Sequence, residues 1–234
     1  MSKNRSMLII PGNSPKGLQN APVFYPDLLV LDLADGVPFE DKDSARLLVK
    51  EAIGFMDYEN TQVVVRINSL QSGFGAKDIE VITPVQPVAF VIPQGSVEQL
   101  QDIEILLTES EKKAGLKEGS IGLIPVVDTV KALEQMSSLL NTSPRIKSAF
   151  FNAEGLAQEL GIIRSKEGDE ILYARSKFAM ACRVAGMNSF DTSFIDSNDY
   201  EGLEKDCFKA RNLGFTGKAA IDGRQIDTIH KIFV

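Results

Sequence analysis

The sequence predicts an α/β fold, a single (β/α)8 barrel, from three observations. Short and nearly uninterrupted apolar runs recur eight times along the 234 residues, longer stretches of helical periodicity separate them, and no glycine-rich dinucleotide fingerprint opens the first crossover. An apolar run without alternation is a strand buried on both faces, as in a parallel sheet covered by helices. Eight such strands with their crossovers fit a closed barrel better than an open doubly wound sheet. The length suits one large core, so one domain is expected over residues 1–234.

Each element follows from its pattern. SMLIIP at 6–11 and LLVLDL at 28–33 are the first two strands, and the amphipathic stretch 41–56 covers the barrel from outside. VVVRI at 63–67 is the third strand, and AFVIP at 89–93 leads into the helical pattern of 97–113. GLIPVV at 122–127 precedes the helix of 129–139, SAFFNA at 148–153 that of 170–185, and SFDTSF at 189–194 that of 200–212. KAAID at 218–222 and a closing helix over 223–233 complete the barrel.

Composition excludes several function classes. With 44% hydrophobic and 24% charged residues the chain is too balanced for disorder. A net charge of -7 without a Lys/Arg cluster argues against a nucleic-acid partner. No apolar run approaches the ~20 residues that span a bilayer, and the N-terminus is too short for a signal peptide, so no membrane partner and a cytoplasmic location are expected. Cys182 and Cys207 lack CxxC spacing and read as core thiols. His230, the only histidine, lies in a helical pattern and reads as structural, which leaves no histidine base and no Ser-His-Asp triad.

In such a barrel the chemistry gathers at the C-terminal ends of the strands. That rule selects Asp32, Asp35 and Gly36 after strand two, Arg66 and Asn68 at strand three, Asp128 after strand five, Asn152 and Glu154 after strand six, and Asp222 after strand eight. Arg66 interrupts an apolar run, and a buried guanidinium is costly unless an anion meets it. Two anions qualify, a ligand carboxylate and the internal acids Asp32 and Asp35, and the two readings are compatible. Asp128 is either a ligand to something in the barrel mouth or the N-cap of the next helix. Glu154 also reads as a first-turn acid favoured by the helix dipole, and Asp222 as a cap.

RSMLIIPGN, PDLLVLDLADGV, VVVRINSL, LYARS, FDT, EGL and LGFTGKAAIDGRQI occur in this order from Arg5 to Phe233. In order and spacing they resemble the signatures of the citrate lyase β-subunit-like (HpcH/HpaI aldolase/citrate lyase) family. The resemblance implies a trimer-forming barrel that cleaves a carbon-carbon bond in a citryl-type or 3-hydroxyacyl thioester of CoA or a carrier protein. Mg2+ there polarises the hydroxy-acid carboxylate and hydroxyl while the thioester enolate leaves. It further implies Arg66, Asp32 and Asp35 as catalytic residues, and Arg5, Arg66 and Asn68 as residues that bind a small carboxylate or acyl thioester. Lys77 or Arg5 would meet a CoA phosphate, and the metal would fall to Asp128, with Glu154 as a substitute ligand.

The sequence also departs from the family pattern. DLED becomes DLAD, with Ala34 in place of the glutamate; PK(V)ES becomes Pro93, Gln94, Gly95, Ser96; the metal-binding glutamate becomes Asp128, followed by Thr129; and the second metal-binding acid becomes Gly155. The IHP or INP motif becomes Ile221, Asp222, Gly223, and the C-terminal lid that closes over a neighbouring subunit's site is expected to be missing after Val234 unless a partner subunit supplies it. Because Mg2+ in such sites rests on one or two carboxylates, its binding is expected to be weak or lost. Two functions follow: a lyase with a degenerate metal centre, or a catalytically silent homologue that binds carboxylates as a regulatory or partner subunit.

Overall fold

A computed structural model describes residues 4–58, 61–93 and 95–234. Strands β1 (Ser6–Pro11), β2 (Leu28–Asp32), β3 (Gln62–Arg66), β4 (Ala89–Ile92), β5 (Gly122–Val127), β6 (Ser148–Phe151), β7 (Asn188–Asp191) and β8 (Gly217–Ala220) form one parallel closed barrel. Closure is made by β8 on β1, with Ser6 opposite Lys218 and Leu8 opposite Ala220. Helices α1 (Pro15–Asn20), α2 (Lys42–Phe55), α3 (Gly75–Ile82), α4 (Val97–Lys113), α5 (Val130–Glu134), α6 (Met136–Leu140), α7 (Ala153–Leu160), α8 (Leu172–Val184), α9 (Tyr200–Leu213) and α10 (Ile226–Ile232) lie around it. The expected (β/α)8 barrel is therefore the observed fold. Among the described residues no helix is long and apolar enough to cross a membrane.

Unbroken strand hydrophobicity is explained by two apolar shells. Successive side chains on a strand point to opposite faces. One parity fills the barrel with Met7, Val30, Val64, Val91, Ile124, Val126, Phe150, Phe190 and Ala219. The other, including Leu29, Leu31, Val65 and Phe90, packs against helix residues such as Val49, Ile79, Leu107 and Phe178. Continued to the C-terminal end, the inward parity arrives at Asp32, Arg66, Asp128, Asn152 and Thr192.

Several elements differ from the sequence-based expectation. β7 ends at Asp191 rather than 194, because the next carbonyl, that of Thr192, accepts from Lys218 Nζ at 2.6 Å instead of extending the ladder. The helix expected over 129–139 is two short helices, α5 and α6, which meet at Gln135. α3 was not anticipated: its Asp78 looks like a surface residue but is fully buried, accepting from Arg46 Nε at 2.6 Å and from Asn68 N at 2.9 Å. Asp222 is a cap, forming a capping box with Gln225.

Two further sets of buried charges tie the helices to the barrel and its loops. The outward-facing Lys218 of β8 bonds Asp191 of β7 at 2.7 Å and Asp206 of α9 at 2.6 Å, and Arg175 of α8 bonds the same two acids at 2.7 and 2.9 Å. LYARS, FDT and TGK thus meet in one network. Elsewhere Arg145 bonds Glu111 of α4, whose carboxylate also accepts from Gly119 N and Ile121 N. Burial opposes ionisation of Glu111, but Arg145 and the two amides outweigh it and hold the carboxyl down at about 2. A folded-state value below the ordinary one contributes stability that is complete above about 4.5 and is lost as pH falls through about 2. Glu111→Gln is therefore expected to flatten the acid limb of a Tm-against-pH curve within that window, as circular dichroism melts would show.

Candidate functional site

The inward polar layer forms the floor of the C-terminal mouth. Asp32 and Arg66 face each other across the β2–β3 ladder. The Asp32 carboxylate, 3% exposed, accepts from Ala34 N at 2.7 Å and Gly36 N at 3.0 Å, so it shapes the turn after β2. A Cβ on Gly36 would lie 2.9 Å from Asp32 Oδ2, which is why this turn needs glycine. Lys42, from the start of α2, donates to Leu33 O at 2.9 Å and Ala34 O at 2.5 Å and braces the same turn from outside. Burial lowers the Lys42 pKa against the pull of Asp32, Asp35 and Asp78.

Arg66 is the one buried cation of this layer among the described residues. Its Nη2 donates to Asp35 Oδ2 at 2.5 Å, its Nη1 lies 3.5 Å from Asp32 Oδ2, and its buried Nε has no hydrogen-bond partner among the described residues. Burial disfavours its charge, yet Asp32, Asp35 and Asp128 raise its pKa above the usual value, so it stays a cation. Asn68 is fully engaged as a donor: its Nδ2 bonds Leu33 O and Asp78 Oδ2, both at 2.8 Å. The side chain locks the loops after β2 and β3 together.

Asp128 is 7% exposed and belongs to the inner parity of β5. Thr129, not Asp128, caps α5, through its hydroxyl and Ala132 N at 3.1 Å, so the N-cap reading of Asp128 is corrected. The acid instead borders a cavity of about 380 Å³ lined by Asp35, Asp128, Thr129, Asn152, Gly155, Gln158 and Glu159. Gly155, Gln158 and Glu159 share one face of α7 by their i, i+3, i+4 spacing. Glu159 Oε2 accepts from Val130 N at 2.5 Å. Gly155 lies directly against Asp128: a Cβ there would stand 2.8 Å from Asp128 Cβ.

Several expected site residues lie elsewhere. Glu154 falls on another face of α7, exposed, with its carboxylate on Arg164 Nη1 at 3.0 Å, and it does not line the cavity. Arg5 precedes β1 and therefore stands at the N-terminal end of the barrel, where Asp27 takes its Nη2 at 2.7 Å. Lys77 pairs with Asp43 on the surface at 3.5 Å. Ser96 caps α4 through Gln99 N, Ala34 is buried, and Gln94 lies outside the described residues. His230 bonds Ser6 at 2.7 Å, far in the chain from the mouth residues. Sequence reasoning missed Lys42, Thr192, Gln158 and Glu159. Strand alternation after Phe190 was the signal for Thr192, and helical spacing from Gly155 was the signal for the α7 pair.

Among the described residues no group of three or more Asp, Glu, His or Cys side chains is placed to hold a metal ion. The mouth thus offers a buried guanidinium, an inward acid and an open cavity beside them. That arrangement suits capture of a carboxylate.

Comparison with known proteins agrees with the fold and the motifs. Residues 5–223 match the family model described as HpcH/HpaI aldolase/citrate lyase. The chain is 34% identical over 234 residues to citrate lyase subunit beta of Haemophilus influenzae, covering 100% of this chain and 80% of that protein. It is 31% identical over 241 residues to the mitochondrial citramalyl-CoA lyase of Mus musculus, covering 98% of this chain and 71% of that one. Among solved structures, a citrate lyase beta subunit complexed with oxaloacetate and magnesium from M. tuberculosis superposes with a TM-score of 0.83 at 23% identity, covering 99% of this chain and 97% of the other. With a family match over almost its whole length and relatives above 30% identity, the chain belongs to the HpcH/HpaI aldolase/citrate lyase family.

Proposed function

We propose that this chain is a carbon-carbon lyase of the citrate lyase β-subunit type, acting on a citryl-type or 3-hydroxyacyl thioester whose free carboxylate is held by Arg66. The observation that carries this reading is the Arg66 guanidinium: buried at 7% exposure, charged, and with an Nε that has no acceptor among the described residues. A planar fork of donors matches a carboxylate two bonds at a time. Asp32 keeps the adjoining turn closed around that fork, and the cavity beside Asp128 has room for the rest of a small acid. The relatives' activities, citrate lyase and citramalyl-CoA lyase, support the reaction class.

Mg2+, when bound in such an enzyme, supplies Lewis-acid polarisation of the substrate oxygens. The donors of this chain do not fit a resident ion. Asp128 stands against Gly155, where a second acid would be needed, and Glu159 is engaged by Val130 N. One inward carboxylate is left for an ion that rests on one or two, with water and substrate completing its shell. The same observation favours a second reading, a silent homologue that retains only the carboxylate grip and acts as a regulatory or partner subunit.

One set of measurements tests both. Oxaloacetate or pyruvate is expected to raise the Tm of the native chain by mass action and to leave Arg66→Ala unmoved, with Kd weakened more than about tenfold, the loss of roughly one charge-assisted hydrogen bond. Cleavage of citramalyl-CoA, malyl-CoA and a citryl thioester, followed with and without Mg2+, then separates the readings. Turnover supports the lyase, whereas Arg66-dependent binding without turnover supports the silent homologue. A ligand shift that survives Arg66→Ala would dismiss the carboxylate grip altogether.

A further inference from the structure

We propose that the Asp35 carboxylate is an intramolecular occupant of the ligand's place on Arg66, so that binding is an exchange of one carboxylate for another and Asp35 sets the affinity of the site. The inference rests on the carboxylate-binding reading above and assigns to Asp35 a role other than chemistry.

The two acids beside Arg66 are held in opposite ways. Asp32 is buried, and both its oxygens accept turn amides, so leaving Arg66 would undo the turn. Asp35 has a side chain 78% exposed, and its hydrogen bond among the described residues is the one to Arg66 Nη2. The backbone around it does not depend on that bond. Asp32 ties Ala34 N and Gly36 N, and Lys42 ties Leu33 O and Ala34 O. Rotation of one side chain therefore releases Arg66 while the loop stays in place, and the released carboxylate turns into water, where it loses little.

Position completes the case. Asp35 lines the cavity together with Asp128 and Gly155 and also bonds Arg66, so it links the buried guanidinium to that space. Asp32 stays 3.5 Å from Nη1 throughout, but Nη2 would be left without its acceptor, and Asp35 removes that cost while the site is empty. The incoming carboxylate takes over the same donor. The apparent affinity is then the intrinsic one reduced by the fraction of molecules whose Asp35 has swung away.

Titration of pyruvate into the full chain by calorimetry tests this with native, Asp35→Asn, Asp35→Glu and Arg66→Ala proteins. Asp35→Asn, which keeps the shape and removes the competing charge, is expected to bind pyruvate about tenfold more tightly, as for a site about 90% self-occupied. Asp35→Glu keeps the competitor and is expected to stay near the native Kd, and Arg66→Ala to bind nothing. If binding is Arg66-dependent but Asp35→Asn is no tighter than the native chain, the exchange is wrong and the carboxylate site stands. Pyruvate binding that is indifferent to Arg66, or absent from both the native and Asp35→Asn chains, overturns the site reading and the exchange with it.

Discussion

Lys218→Met is expected to lower the unfolding free energy by about 3 to 5 kcal/mol, the usual cost of breaking a buried ion pair from one side. Lys218, Arg175, Asp191 and Asp206 form a balanced set of two cations and two anions. The side chains of Lys218 and Asp191 are wholly buried, and that of Asp206 is 11% exposed. Methionine matches the length of the lysine stem, so packing is largely kept while two carboxylates are left with one guanidinium. Thr192 O also loses the donor it had at 2.6 Å. Urea unfolding read by circular dichroism measures the loss, and adding Asp206→Asn to restore neutrality is expected to recover part of it. A single variant as stable as the native chain would mean that water reaches this network, contrary to its burial.

Gly155→Asp is expected to cost about 3 kcal/mol even though the resemblance implies an acid at that position. The new Cβ would lie 2.8 Å from Asp128 Cβ, 3.2 Å from Asn152 Nδ2 and 3.4 Å from Asp128 O, so the start of α7 or the end of β5 must move. Its carboxylate would also stand beside an acid only 7% exposed. Asp128→Glu gives no relief, because glutamate has the same Cβ. Gly155→Ala isolates the steric part and is expected to lose less. In the Gly155→Asp, Asp128→Glu double variant Mg2+ should raise the Tm, by supplying the charge two facing acids need, while the native chain without ligand stays unmoved. Thermal melts with and without Mg2+ decide it, and a Gly155→Asp melt equal to native would show that the close approach is absent in solution.

Legibility in the sequence followed the reach of each interaction. The inner layer was within reach because strand parity is local: Asp32, Arg66 and Asp128 are two residues beyond Val30, Val64 and Val126, which fill the barrel. The same rule would have given Thr192. The position of Arg5 at the N-terminal end was also readable, since a residue that precedes a parallel strand lies at that face. Side-chain commitments were not readable. Nothing around Glu154 shows that Arg164, ten residues on, holds its carboxylate. Nothing in the sequence around Asn68 shows that Asp78 of α3 engages its amide.

By itself, then, the sequence determined the barrel, the order of its strands and the height at which its polar layer sits. Those follow from repeating dihedral geometry and from apolar periodicities that each segment carries alone. Only the tertiary structure decided which charges meet: that Asp35 rests on Arg66, that Lys218 finds Asp191 and Asp206, and that Gly155 leaves no room beside Asp128. Such meetings depend on how distant segments are brought within a few ångströms of one another, and an ion pair or a steric contact acts only over that distance.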